Sequence, residues 1–86
     1  MGTNFEDAAL ADLMYWIQND RKTAGKIYKL IQDIHRNGPE KGLGKPERLK
    51  YLNGWSRHID HGNRLVYGVD NNGDVHIISC KGHYED

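Results

Sequence analysis

The sequence predicts an α+β domain in which a two-helix hairpin packs on a small, mostly antiparallel sheet, in the order β-α-α-β-β-β. Three observations predict it. Two consecutive segments space their apolar residues as amphipathic helices do. The C-terminal half carries short β-branched and aromatic runs separated by turn-forming residues. The chain has 86 residues, enough for one small domain, residues 1–86, and too few for a second, cofactor-binding one.

Thr3–Phe5 is read as a short edge strand. The first helix runs from about Asp7 to about Gln18, where Leu10, Leu13, Met14 and Ile17 fall at i, i+3, i+4 and i+7. Ala8, Ala9 and Ala11 add helix propensity. Asn19-Asp20 interrupts the chain, and Asp20 is a good N-cap for a second helix. That helix repeats the spacing with Ile27, Leu30, Ile31 and Ile34 and stops at Asn37-Gly38-Pro39.

Residues 38–46 are rich in Gly, Pro and Lys and read as a loop, leading into a candidate short strand at Glu47. Trp55–Ile59, Leu65–Val69 and Val75–Cys80 read as strands. Asp60-His61-Gly62-Asn63 joins the first two as a turn. Asp70-Asn71-Asn72-Gly73-Asp74 joins the last two as a hairpin, Asn72-Gly73 being a turn signal because both residues tolerate positive φ.

Composition narrows the function classes. The single cysteine, Cys80, cannot form an internal disulfide, and no Cys/His metal-ligand set is visible. No apolar run approaches the roughly 20 residues of a membrane span, and the N-terminus has no signal-peptide pattern. A cytoplasmic location, without membrane, metal or cofactor, is the expectation. The net charge of +0 hides a polarity along the chain. Residues 1–20 carry −4, from Glu6, Asp7, Asp12 and Asp20, whereas residues 41–64 carry +4. A basic segment in a neutral chain can bind a polyanion locally.

Glu47, Arg64, His83 and Tyr84 stand out within and after that segment. Read singly, each is an ordinary surface group. Read together, they supply what metal-free RNA cleavage requires: a base for the 2′-OH, an acid for the 5′ leaving oxygen, and a cation for the phosphoryl oxygens. Tyr51, Trp55 and Tyr84 are aromatic candidates for stacking on unpaired bases. Lys45, Lys50, Arg57 and His58 are the candidate RNA- or ribosome-binding residues. Cys80, in an apolar strand, reads as packed rather than nucleophilic.

Taken in order, these segments resemble the Txe/YoeB toxins of the RelE/ParE superfamily of bacterial toxin–antitoxin systems. The resemblance spans nearly the whole chain. It rests on Ala11-Asp12-Leu13-Met14-Tyr15-Trp16, Gly42-Leu43-Gly44-Lys45-Pro46-Glu47-Arg48-Leu49-Lys50, Gly54-Trp55-Ser56-Arg57-His58-Ile59, Asn63-Arg64-Leu65-Val66-Tyr67 and the closing His83-Tyr84. It implies a RelE-like fold and a ribosome-dependent mRNA endoribonuclease that cuts in the A site and stops translation. Cleavage would need no metal and would leave 2′,3′-cyclic phosphate and 5′-OH ends.

The resemblance assigns Glu47 as general base, Arg64 as phosphate stabiliser, His83 as general acid and Tyr84 as the residue that orients substrate. Lys50 is an auxiliary contact. Implied partners are a YefM/Axe-like antitoxin, the 70S ribosome with its mRNA, and a second copy in a homodimer. The alternative is the ParE branch, which shares the fold but inhibits gyrase by binding, and generally lacks the Glu47 and His83-Tyr84 equivalents. Some positions depart from the family pattern. His58 replaces a second arginine, Arg48 a proline and Asn63 a frequent histidine, and Glu85-Asp86 follow the usual terminal tyrosine.

Overall fold

The computed structural model describes residues 2–83 of the chain. Its elements are β1 (Thr3–Phe5), α1 (Asp7–Asn19), α2 (Arg21–Asn37), β2 (Glu47–Arg48), β3 (Trp55–His58), β4 (Arg64–Val69) and β5 (Val75–Ser79). The strands form one sheet in the order β1-β5-β4-β3-β2. β1 runs parallel to β5, and every other pairing is antiparallel. The α+β expectation holds, and the structure adds β2, a strand that the β-α-α-β-β-β order omitted. β2 is only two residues long. It exists by pairing with β3, not through any propensity of its own.

The helix hairpin turns on one residue. Asp20 accepts from the Thr23 N–H at 3.3 Å and from the Thr23 hydroxyl at 2.8 Å, capping α2 as its side chain suggests. Gly38 ends α2 with φ 90°, its N–H returning to the Ile34 carbonyl. α2 buries Ile27, Leu30, Ile31 and Ile34 as its spacing predicts.

α1 does not follow its expectation. Leu10, Met14 and Ile17 are 53%, 50% and 43% exposed, and the helix instead buries Ala9 and Trp16, with Leu13 partly buried. Two hydrogen bonds account for the rotation. The Trp16 indole N–H donates to the Cys80 carbonyl at 2.8 Å, and the Cys80 N–H donates to Asp12 at 3.0 Å. Residues 12 and 16 lie one turn apart on the same helix face. Together they grip both backbone groups of Cys80, and Leu10, Met14 and Ile17 are left outside.

The core lies between the helices and one sheet face, where Leu65, Tyr67, Val75 and Ile77 meet Ile27, Leu30 and Ile34. Cys80 is fully buried, and burial, with the nearby Asp12 charge, pushes its thiol up to about 12. In the β4–β5 turn Gly73 takes positive φ, at 83°, and Asn72 does not. The Asp70 side chain closes that loop instead, accepting from the Asn72 and Asp74 N–H groups.

Candidate functional site

Antiparallel pairing gathers the candidate residues at one end of the sheet. Arg64 opens β4, opposite His58 at the end of β3. β5 runs antiparallel to β4, so the chain leaving β5 returns to the same end. There the Arg64 N–H donates to the Gly82 carbonyl at 2.9 Å, with His83 next in sequence. Glu47, in β2, pairs with Ser56, two residues before His58. Alternation along a strand and direct cross-strand pairing then put Glu47, Ser56, His58 and Arg64 on one face. Arg57, Leu65 and Tyr67 point to the other face, towards the core.

Glu47, Lys45, Arg64 and His83 all act electrostatically on His58. Burial holds His58 below its usual range. The Arg64, Lys45 and His83 charges push the same way, and Glu47 opposes them. His83 is exposed and sits 3.4 Å from Arg64, Nη2 to Nε2. The other Arg64 terminal nitrogen donates to the Asp60, His61 and Asn63 carbonyls at 2.8, 3.2 and 3.1 Å. The β3–β4 turn therefore aims the arginine.

Lys45 enters the site with φ 53°, the sole non-glycine residue at positive φ among the described residues. For an L-residue this conformation costs roughly 1–2 kcal/mol. Gly44 before it has φ 81°, and a Cβ there would lie 2.9 Å from the His58 carbonyl oxygen. The His58 N–H donates to the Gly44 carbonyl at 2.7 Å, tying the 38–46 loop to β3. Lys50 and Tyr51 are exposed in the segment after β2.

Arg57 leaves the candidate set. It is fully buried, and all five of its N–H donors are engaged. They reach Asp33 at 2.5 Å, the Tyr67 hydroxyl at 2.9 Å, and the carbonyls of Leu43, Gly38 and Lys41 at 2.9, 2.9 and 2.6 Å. No donor remains for a phosphate, so Arg57 is a staple for the 38–44 loop and not an RNA contact. Asp33, its partner, was not singled out from the sequence. Its position one turn before Asn37 on α2 gave no sign of a partner 24 residues away. Trp55 is also occupied, stacked on Tyr67 at 6.1 Å with the Arg48 guanidinium 4.8 Å over its ring. The expected Tyr84 contribution lies outside the described residues.

A groove of about 760 Å³ lies beside this cluster, and Lys22, Lys26 and Lys29 line it from α2, opposite Lys45 and His58. The three α2 lysines were legible from their i, i+4, i+7 spacing but were missed, because they lie outside the basic segment 41–64. Among the described residues no group of three His, Cys, Asp or Glu side chains is placed to hold a metal ion. No helix there is long and apolar enough to cross a membrane.

A helix hairpin on a mixed five-stranded sheet is the fold this chain shares with solved bacterial toxins. Residues 5–84 match the family model described as the YoeB-like toxin of bacterial type II toxin-antitoxin system. Toxin YoeB of Escherichia coli K12 is 44% identical over 75 residues, covering 85% of this chain and 87% of the relative. Among solved structures, the YoeB dimer from Staphylococcus aureus superposes with a TM-score of 0.91 at 44% identity, covering 98% of both chains. The toxin of the heterotetrameric YoeB-YefM complex from the same organism gives 0.88 at 46% identity, covering 95% of both. The chain belongs to the YoeB-like toxin family of bacterial type II toxin–antitoxin systems.

Proposed function

We propose that the chain is a ribosome-dependent endoribonuclease that cuts mRNA in the A site without a metal. The observation carrying this reading is that strand pairing sets Glu47, His58 and Arg64 on one sheet face, with His83 3.4 Å from Arg64. Glu47 takes the 2′-OH proton of the nucleotide 5′ to the cut. The 2′-oxygen attacks phosphorus, the bond to the 5′-oxygen breaks, and His83 protonates the departing oxygen. Arg64 stabilises the charge that builds on the phosphoryl oxygens. The products are a 2′,3′-cyclic phosphate and a 5′-OH end. A phosphate entering between Arg64 and His83 replaces their resting contact. Tyr84 orients the substrate, and Lys45, Lys50 and His58 contact RNA or the ribosome.

The exposed apolar stripe of Leu10, Met14 and Ile17 supports a protein partner. We assign to it a YefM-like antitoxin that folds on binding and covers or displaces the catalytic residues. Assembly as a homodimer and a cytoplasmic location complete the proposal.

A defined mRNA on purified ribosomes tests the catalytic reading. Cleavage should require ribosomes, survive a chelator added under separate magnesium control, and vanish when the nucleotide 5′ to the cut is 2′-deoxy. Glu47→Gln and His83→Gln should each slow single-turnover cleavage by about 10² or more. Wild-type rates in both variants would refute the assignment. Gyrase inhibition without any cleavage would establish the ParE-like alternative.

A further inference from the structure

The groove beside the catalytic cluster has no role in the chemistry above. One wall is Lys22, Lys26 and Lys29, exposed on consecutive turns of α2. They span about 10 Å of helix at 1.5 Å per residue, the length of a few nucleotides in an extended strand. The other wall is Lys45. Four lysines face one carboxylate, Asp60, which is already bonded to the Gly62 and Asn63 N–H groups and the Asn63 amide. None of the four lysines forms a salt bridge among the described residues. Such a concave, predominantly cationic surface concentrates an anionic ligand.

The floor distinguishes among anions. Buried Leu30 and Ile59 line it with the exposed Leu43 beside them, and Gly25 leaves the helix wall open at its middle. An apolar floor between cationic walls suits a flexible strand whose sugars and bases lie inward and whose phosphates meet the walls. Two of the groove's lining residues border the proposed catalytic cluster. Lys45 lies two residues before Glu47, and His58, on the groove's lip, pairs with Arg64.

We propose that this groove holds the phosphate backbone of the single-stranded RNA flanking the cut, with Lys22, Lys26 and Lys29 on one side and Lys45 on the other. The proposal rests on the nuclease reading for its strand and scissile position, and extends it to residues of α2 outside the catalytic face.

The test is an anisotropy titration of the free protein with two fluorescent, uncleavable RNAs, 2′-deoxy at the cut. One spans only the nucleotides next to the cut, and the other extends well beyond them on both sides. The variant is Lys22→Gln/Lys26→Gln/Lys29→Gln, three exposed changes on α2. The extended RNA should bind the wild type more tightly than the short one, and the variant should lose that advantage. The slope of log affinity against log salt should fall by about 2, at roughly 0.7 for each phosphate that a lysine no longer neutralises.

Equal affinity and slope for variant and wild type overturn the proposal. So does failure of the wild type to prefer the extended RNA at low salt. A polyglutamate peptide that the wild type binds and the variant does not, with RNA binding intact, overturns it in favour of an acidic protein segment. The nuclease reading fails separately. It falls if ribosome-bound mRNA is never cut, whatever the titration shows, and it survives if mRNA is cut while the variant binds RNA as the wild type does.

Discussion

Arg57 shows how one side chain can carry a loop. Its guanidinium holds the Gly38, Lys41 and Leu43 carbonyls, and Tyr67, which accepts from it, donates in turn to the Pro39 carbonyl. The 38–44 loop, with no secondary structure of its own, thereby delivers Lys45 and Glu47 to the sheet end. Arg57→Ala strands the Asp33 carboxylate, and breaking a buried pair in this way costs about 3–5 kcal/mol. Urea unfolding should show a large fall in midpoint, with Lys45 misplaced and cleavage impaired as a consequence. Asp33 also makes the fold acid-sensitive. Burial pushes its carboxyl up, but bonds from Arg57, the Leu43 N–H and Asn37, together with the Arg57 charge, outweigh that and hold it below its ordinary 3.8. Its contribution is therefore present above pH 3.8 and lost as pH falls through that value towards the lower folded pKa. An acid titration of Asp33→Asn should show a shallower loss in that range than the wild type. In the sequence Arg57 was indistinguishable from the surface cations around it. Only the alternation of β3, with Trp55 and Arg57 on the core side, could have separated it from His58.

At the scale of elements, the legible features were those set by local chemistry. Asp20, Gly38 and the apolar spacing of α2 act within a turn or two of chain, so α2 appears where it was expected. The rotation of α1 was hidden because it depends on Cys80, 64 residues after Trp16. Counting apolar residues favoured Leu10, Met14 and Ile17, whereas the indole N–H and the Asp12 carboxylate required partners that only the chain after β5 could offer. β2 was legible only as a candidate short strand at Glu47, since a two-residue strand is defined by its neighbour. Gly25 breaks the local pattern of α2 without a packing reason. It is exposed, and a Cβ there meets nothing within 4 Å. Glycine in a helix interior costs about 0.5–1 kcal/mol relative to alanine. Gly25→Ala should stabilise the protein by that amount, read as a higher urea midpoint with an unchanged slope. A loss of stability would show that α2 needs a backbone conformation at this position that alanine cannot take.

Across the whole molecule, topology turns scattered residues into a site. β3, β4 and β5 alternate in direction, so His58, Arg64 and His83 share one sheet end although 25 residues separate the first from the last. The candidate residues were legible because their types match a known chemistry and a family pattern, and the common face of Glu47, His58 and Arg64 follows from period-two alternation. The state of His58 was not legible, because it depends on burial and on charges from three other segments. Its lowered pKa means that acid protonates the unfolded chain first, so this residue withdraws stability as pH falls below 6.5. The same shift shapes RNA binding. Near neutral pH His58 is uncharged, and the patch of Lys45 and Arg64 lacks the fixed cation that the family pattern places there. A bound phosphate favours the imidazolium, so wild-type affinity for an uncleavable RNA should rise as pH falls below 6.5. His58→Arg should shrink that rise, because arginine at this position stays protonated throughout. At neutral pH the variant should bind more tightly and with a salt slope steeper by about 0.7, the increment for one further phosphate neutralised on a single strand. The measurement is affinity as a function of pH and of salt for both proteins. A wild-type affinity flat between pH 5 and 8, or a variant with an unchanged salt slope, would show that residue 58 does not face the RNA.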